Sequence, residues 1–299
     1  MQPKTPPVGW DNFYLDYPAS SVAIDGFVSG PPKLDAEGRH ANFNHHEGVS
    51  RLETRATCAQ VLMAIKMGFF DIFGSGVVGV YANHCDEDCC LSWFLLEYGR
   101  LTEIINSPNL ERLVVAEDLF DTTGGMYPFP ADSLMLEKMA WIFSPYRQFK
   151  LSGKIDEKET ADYLTVVQEI SERIQQYILG RGKSLTLDLR YEKKIGGPGW
   201  FFIKEIGAQA KRGMALDGIK AFVTVRETRD GKWVYTVERA SKFIPFHIFS
   251  ILSALNRAEG RDDADEDRWG GSSDRGGSPR VSASSLSPKE VAEVINSII

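Results

Sequence analysis

Four short segments of this chain carry residue types that hold divalent cations or activate water. His45 and His46 are adjacent. On a strand their side chains point to opposite faces, whereas at a turn both can face one site; as surface or capping histidines they need no site at all. His84, Asp86, Glu87 and Asp88 crowd the opening of an apolar helical stretch, Cys89–Tyr98. The helix dipole favours carboxylates there with no metal required. Crowding several acids after a buried strand, however, costs Coulomb energy that a divalent cation removes. Asp118 and Asp121 are three apart, so they share a helix face, near a C-terminal turn where the dipole disfavours acids. Asp25 ends a strand ahead of Gly26, as a turn residue or as a ligand. Carboxylate oxygens with imidazole form a donor set that suits Mn²⁺ or Mg²⁺.

The elements that must position these groups follow from pattern. Val22-Ala23-Ile24 reads as a short strand, with a second strand-like stretch ending at Phe43-Asn44-His45-His46. Ala56–Met67 is nearly apolar all round, the mark of a buried helix. Gly74-Ser75-Gly76 breaks the chain, and Val77–Tyr81 reads as a buried strand feeding His84–Asp88 into the next helix. Strand-to-helix junctions of this kind are where open α/β sheets place ligands. A helix opens at Ser107-Pro108 and runs toward Asp121-Thr122-Thr123-Gly124. Another spans Ser133–Phe143 and stops before Pro145. Leu164, Val167, Ile170, Ile174 and Ile178 mark an amphipathic helix closed by Gly180 and Gly182.

After Gly182 the character changes. Ser184–Arg190, Trp200–Lys204, Ile219–Arg226 and Trp233–Glu238 read as strands, and Phe246–Asn256 as a helix. Lys193-Lys194 before Gly196-Gly197 reads as a solvated hairpin loop. Asp262–Asp267 reads as a mobile exposed linker, and Ser287-Pro288-Lys289-Glu290 as a capping box opening the last helix. Residues 1–20, rich in proline and aromatics, read as an extended arm. The expectation is an α/β protein cut near 181. Its 1–180 domain carries a mostly parallel sheet flanked by helices, and 181–299 forms a smaller α+β domain.

Composition narrows the function. Thirty-four Lys and Arg stand against 41 Asp and Glu, a formal charge of −7 over 299 residues. That excludes an extended nucleic-acid coating, which needs a basic footprint. No apolar run reaches the ~18 residues of a membrane span, and MQPKTPPVGW has no apolar core of a secretory leader. Cys58, Cys85, Cys89 and Cys90 lack zinc-knuckle spacing and read as reduced thiols of a cytoplasmic protein. Oligomeric state stays open, a homodimer among the options.

Taken together the motifs resemble those of the DHH phosphoesterase superfamily, in its Myg-type exonuclease branch. Val22-Ala23-Ile24-Asp25-Gly26 and Phe43-Asn44-His45-His46 look like its strand-Asp and Asp-His-His motifs. Asn83-His84-Cys85-Asp86-Glu87 looks like its His-x-Asp-Glu motif. Asp121-Thr122-Thr123-Gly124 is similar to its Asp-Thr-Gly motif. Gly270-Gly271 with Gly276-Gly277-Ser278-Pro279-Arg280 resembles its glycine-rich substrate motif. The motif order is permuted, Asn44 replaces the first acid of Asp-His-His, and the glycine-rich motif ends in Ser-Pro-Arg.

The resemblance implies a phosphodiesterase or exonuclease-like hydrolase holding one or two Mn²⁺ or Mg²⁺ ions in an interdomain cleft. Asp25, His45, Asp86 and Asp121 would be ligands, with His84 or Asp88 completing the set. His46 would polarise the phosphoryl group or protonate the leaving oxygen, and Asn44 would act beside it. Arg280 would grip phosphate, in a substrate loop with Gly276, Gly277 and Ser278. The substrate implied is a phosphate-containing small molecule or short oligonucleotide. The alternatives are an inactive metal- or ligand-binding module of the same fold, and a metal-dependent hydrolase of a non-phosphate bond.

Overall fold

A computed structural model describes residues 1–299 apart from 36, 38, 74–78, 131, 229, 266 and 280. The chain divides into two compact units: Met1–Thr122 with Asp132–Thr186, and Thr123–Ala131 with Leu187–Ile299.

The first unit begins with helix α1 (Trp10–Asp16), then β1 (Ser21–Ile24), β2 (Lys33–Asp35) and β3 (His40–Phe43). Helices α2 (Thr57–Lys66) and α3 (Phe69–Phe73) lead to β4 (Gly79–Tyr81). Six helices complete it: α4 (Glu87–Tyr98), α5 (Thr102–Ile105), α6 (Pro108–Thr122), α7 (Leu134–Ile142), α8 (Ser144–Leu151) and α9 (Thr160–Ile178). The sheet runs β2-β3-β1-β4. β1 is parallel to both β3 and β4, with Val22 opposite Ala41 and Val80, and β2 is antiparallel to β3. The sheet is therefore mixed rather than mostly parallel. All four β1 residues are buried, as a central strand covered on both faces requires. Because β1, β3 and β4 share a direction, their C-terminal ends lie along one edge. That edge releases Asp25, Asn44–His46 and the run into Asp86.

The N-terminal arm is corrected by α1. Its Phe13 is fully buried against Ala23, Phe27 and Val28, so an amphipathic turn with an aromatic face replaces extended chain. Pro145 does end α7, but it also sits in the first turn of α8, where its missing N–H costs nothing. Gly74-Ser75-Gly76 and the start of the Val77–Tyr81 strand lie outside the described residues.

The second unit contains β5 (Tyr191–Gly197), β6 (Trp200–Glu205), α10 (Ala210–Leu216), β7 (Ala221–Glu227), β8 (Trp233–Arg239), α11 (Ile248–Ala258), β9 (Gly270–Gly271), β10 (Arg275–Gly277) and α12 (Pro288–Asn296). Its sheet, β5-β6-β7-β8-β10-β9, is also mixed, with β6 and β7 parallel and the other neighbours antiparallel. β7 alternates: Ala221 and Val223 join a core with Trp200, Leu255 and Trp269, while Phe222 joins Met126, Ile203 and Met214. The capping box is present, with Ser287 N donating to Glu290 at 2.7 Å.

Three expectations change here. Residues 184–190 form no strand. The backbone of Asp188 is taken by Gln209, whose N–H donates to Asp188 O at 3.0 Å and whose side chain accepts from Asp188 N at 2.8 Å. The strand starts instead at Tyr191 and contains Lys193 and Lys194, exposed on a sheet edge, where lysines discourage edge-to-edge pairing. Residue 266 lies outside the described residues, but the acidic run on either side of it is tied down rather than loose. Asp263 accepts from Ser253 (2.6 Å) and Asn256 (2.7 Å), Asp267 accepts from Val281 N (2.9 Å), and Trp269 beyond it is buried. The four cysteines are free and buried. Among the described residues, no helix is long and apolar enough to cross a membrane.

Candidate metal centre

The centre grows from the shared strand edge. Asp25 follows β1 at φ 52°, the left-handed region that costs a non-glycine residue about 1–2 kcal/mol. Its N–H donates to Phe43 O at 2.9 Å, extending the β1–β3 ladder by one rung. Gly26 continues at φ 83°, and a Cβ there would lie 2.9 Å from His46 Nδ1. Only glycine lets this turn pass so close to the ring.

From β3 come the two histidines. His45 is wholly buried. Its Nε2 lies 2.8 Å from Asp121 Oδ2, 3.5 Å from Asp88 Oδ2 and 3.9 Å from Asp25 Oδ1. Both His45 ring nitrogens, Asp25 Oδ2 and Asp121 Oδ2 are nevertheless buried polar atoms without a hydrogen-bond partner among the described residues. The 2.8 Å approach is thus a contact in distance but not in hydrogen-bond direction. Each buried polar atom left unmade costs about 1–3 kcal/mol, so this arrangement is suited to a guest. The His46 ring stands 4.7 Å from that of His45, and its Nε2 is 3.5 Å from Asp25 Oδ1. With 36% of its side chain exposed, it is the more accessible of the two. Burial, then the Arg51 and His45 charges, push its pKa down to about 4, leaving it neutral at pH 7.

From the start of α4 come the carboxylates. Asp88 accepts Thr57 N at Oδ2 and Cys58 N at Oδ1, both at 2.7 Å. It therefore caps α2, whose own cap residue Ala56 has no side chain to do so, and anions at a helix N-terminus are favoured. Burial, then Asp121, still push its pKa up to about 6. Asp86 caps α4, accepting Cys89 N at 3.0 Å, and pairs with His84 Nδ1 at 3.1 Å. Burial alone would raise Asp86, but the His84 charge and hydrogen bond hold it well below the carboxylate range. Asp121 arrives from the last turn of α6. Burial acts to raise it, and contact with His45 and the Arg51 charge overcome that. Asp25 is raised well above its ordinary value by burial, then by Asp86, Asp88 and Asp121.

Among the described residues, two groups offer ligand atoms within 4.8 Å of one another: Asp25, His45 and His46, and His45, Asp88 and Asp121. They share His45. Of the sequence candidates, these five come together. Asp86 acts on Asp25 through its charge. His84 is held by Asp86 and belongs to neither group, so of the two completing candidates Asp88 joins the cluster. Asn44 turns away from it. Its amide donates to Val28 O (3.2 Å) and Gly30 O (2.9 Å), and its Oδ1 accepts His46 N (3.0 Å).

Gly276, Gly277 and Ser278 lie in the second unit with internal work. A Cβ on Gly276 would meet Leu252 at 2.5 Å, and Ser278 Oγ accepts Tyr235 N at 3.0 Å. Arg280 lies outside the described residues. Sequence reasoning missed three neighbours. Thr57 Oγ1 donates to Asp25 Oδ1 at 3.3 Å, and Arg51 Nη1 donates to Asp121 O at 3.4 Å. Glu117 is buried, its Oε2 without a hydrogen-bond partner among the described residues. Burial, then the charges of Glu87, Asp121, Asp88 and Asp86, raise its pKa well above the ordinary value. Its place one helical turn before Asp121 is legible in hindsight; Arg51 has no signal.

Comparison with protein-family models, with curated proteins and with solved structures finds no match. The reading of this centre therefore rests on its own geometry. Oxygen and imidazole donors with orphaned buried atoms fit a hard divalent cation such as Mn²⁺ or Mg²⁺, held by Asp25, His45, Asp88 and Asp121, with His46 beside it.

Proposed function

We propose that this chain is a metal-dependent hydrolase of phosphoesters, acting on a phosphate-containing small molecule or a short oligonucleotide. The observation that carries the metal is the wholly buried His45, both ring nitrogens without a hydrogen-bond partner among the described residues, set among three carboxylates. What supports the phosphoester is the resemblance of these same residues to the DHH motifs.

A bound Mn²⁺ or Mg²⁺ supplies Lewis-acid polarisation of the phosphoryl group. The protein's residues do the rest. Asp25 and Asp121 enter from different elements and give the cluster its charge. Asp88 is locked by two backbone N–H groups, so its carboxylate is oriented before any ligand arrives. His46, neutral and partly exposed, is the group able to donate a hydrogen bond at Nε2 to a phosphoryl or leaving oxygen. Asn44 fixes the backbone of His46 and so the direction of that ring, which is a positioning role and does not require an acid.

The test has two stages. Mn²⁺ at sub-millimolar concentration raises the melting temperature, because a ligand of the native state stabilises it by about 2.7 kcal/mol at a hundredfold excess over Kd. His45→Ala removes the shift, and a parent protein indifferent to Mn²⁺ would discard the centre. Turnover of generic phosphodiester and phosphomonoester substrates with Mn²⁺, abolished by Asp121→Asn, supports the enzyme. Metal binding without turnover on any of them points to the inactive module.

A further inference from the structure

Arg51 stands at the metal cluster with no acid of its own. It lies in the loop between β3 and α2, where Ser50 O accepts the N–H groups of Glu53 and Thr54, both at 2.9 Å, in a tight turn. The residue is partly buried, and its Nη1 donates to the main-chain carbonyl of Asp121 at 3.4 Å. Among the described residues that is its single hydrogen bond, and it makes no ion pair. The other arginines of this region are engaged. Arg55 Nη1 lies 3.5 Å from Asp118 Oδ2, and Arg147 Nη2 lies 3.0 Å from Glu87 Oε1. A guanidinium carries five N–H donors, so Arg51 keeps most of its capacity unused.

Its charge reaches the accessible part of the cluster. After burial it is the largest influence on the His46 ring, and it acts on the Asp121 carboxylate as well. Charge balance gives the guanidinium a task. Ligands bind an ion deprotonated, and Asp25, Asp88 and Asp121 are three carboxylates. One divalent cation leaves them with net negative charge, which repels an incoming phosphate. An unpaired guanidinium close to His46 cancels that charge. Its planar fork also offers parallel N–H groups to two phosphoryl oxygens, where His46 offers one.

We propose that Arg51 is the residue of this centre that grips the substrate's phosphoryl group, binding its non-bridging oxygens next to His46. The role rests on the metal-dependent phosphoesterase reading above, and it supplies that reading with a phosphate-recognising group on the same unit as the metal ligands. It also makes Arg51 a specificity residue. A phosphoester brings anionic oxygens to the guanidinium, whereas an amide or carboxylic ester brings a neutral carbonyl and leaves the fork without a charged partner.

The test uses the full-length protein and two readouts. The first is the melting-temperature shift in sub-millimolar Mn²⁺. The second is calorimetric titration of inorganic phosphate into protein loaded with stoichiometric Mn²⁺, with chloride at matched ionic strength as the control. The parent is expected to bind phosphate saturably and chloride not at all. Arg51→Gln is expected to keep the full Mn²⁺ shift, because Arg51 is no ligand and its charge repels the ion. The same variant weakens phosphate about tenfold, as the loss of a charge-assisted hydrogen bond requires. Arg51→Lys, with the charge but not the fork, falls between. Unchanged phosphate affinity in Arg51→Gln, or no phosphate binding by the Mn²⁺-loaded parent, overturns the role of Arg51 and leaves the metal centre standing. Loss of the Mn²⁺ shift together with phosphate binding in Arg51→Gln also overturns it, by assigning Arg51 to holding the loop in place. No Mn²⁺ shift in the parent removes the centre, and the role with it. Should Arg51→Gln fail to fold, Arg51→Lys decides: weaker phosphate binding with an intact Mn²⁺ shift supports the role, and unchanged affinity overturns it.

Discussion

His45 is the residue on which the centre turns, yet the protein is not built to be comfortable around it. Asp25 sits at positive φ, is buried, and has its pKa raised by three other acids. Its charge is therefore a burden in the metal-free state. Asp25→Asn, nearly isosteric and still able to accept from Thr57 Oγ1, is expected to raise the melting temperature in EDTA while abolishing the Mn²⁺ shift. A variant less stable than the parent in EDTA would show that the acid is held by something other than a metal. Asn44 makes the opposite case. Its amide donates to two carbonyls, and Asn44→Asp would face both with oxygen. The loss is expected at about 2–3 kcal/mol by urea denaturation, so restoring an acid there impairs rather than rescues.

At the scale of elements, the three parallel strands explain why the ligands were legible. Asp25, His45 and the Asp86–Asp88 run each follow a strand, and strand ends on one sheet edge must be neighbours. Thr57 and Arg51 were not legible because they touch the cluster from a helix start and a loop, with no pattern of their own. The 184–190 segment shows the limit of alternation. Its leucines have the period of a strand, but Gln209 takes the backbone of Asp188 before a ladder can form. Asp88 joins two elements, since it offers a carboxylate to the cluster and caps α2. Asp88→Asn is therefore expected to cost about 1–2 kcal/mol even in EDTA, because one of two N–H donors then meets an amide N–H. Equal stability of this variant and the parent, by thermal or urea unfolding, would assign the cap to other groups.

For the whole molecule, the buried titratable groups set how stability changes with pH. Asp88, raised to about 6, makes the folded state bind more protons than the unfolded one between about 4 and 6, so stability falls as pH rises through that window. His46, lowered to about 4, does the reverse between about 4 and 6.5, and the two largely offset. Asp25 and Glu117, raised well above their ordinary values, and His84, also raised, all act with Asp88 and extend its window upward. The metal-free protein is expected to lose melting temperature from pH 6 to pH 8. In Mn²⁺ the trend reverses, since ligands bind the ion deprotonated. Parallel curves with and without Mn²⁺ would separate the titrating acids from the metal.

The segment Thr123–Ala131 belongs to the second unit while the chain on either side of it belongs to the first. Met126 from that segment is buried with Ile203, Met214 and Phe222. A fragment cut at residue 187 would leave those three residues with a hole where the methionine had been. The two halves are thus stitched rather than strung together. Expression of either as a contiguous piece is expected to yield an aggregation-prone product, even though each has most of its own core.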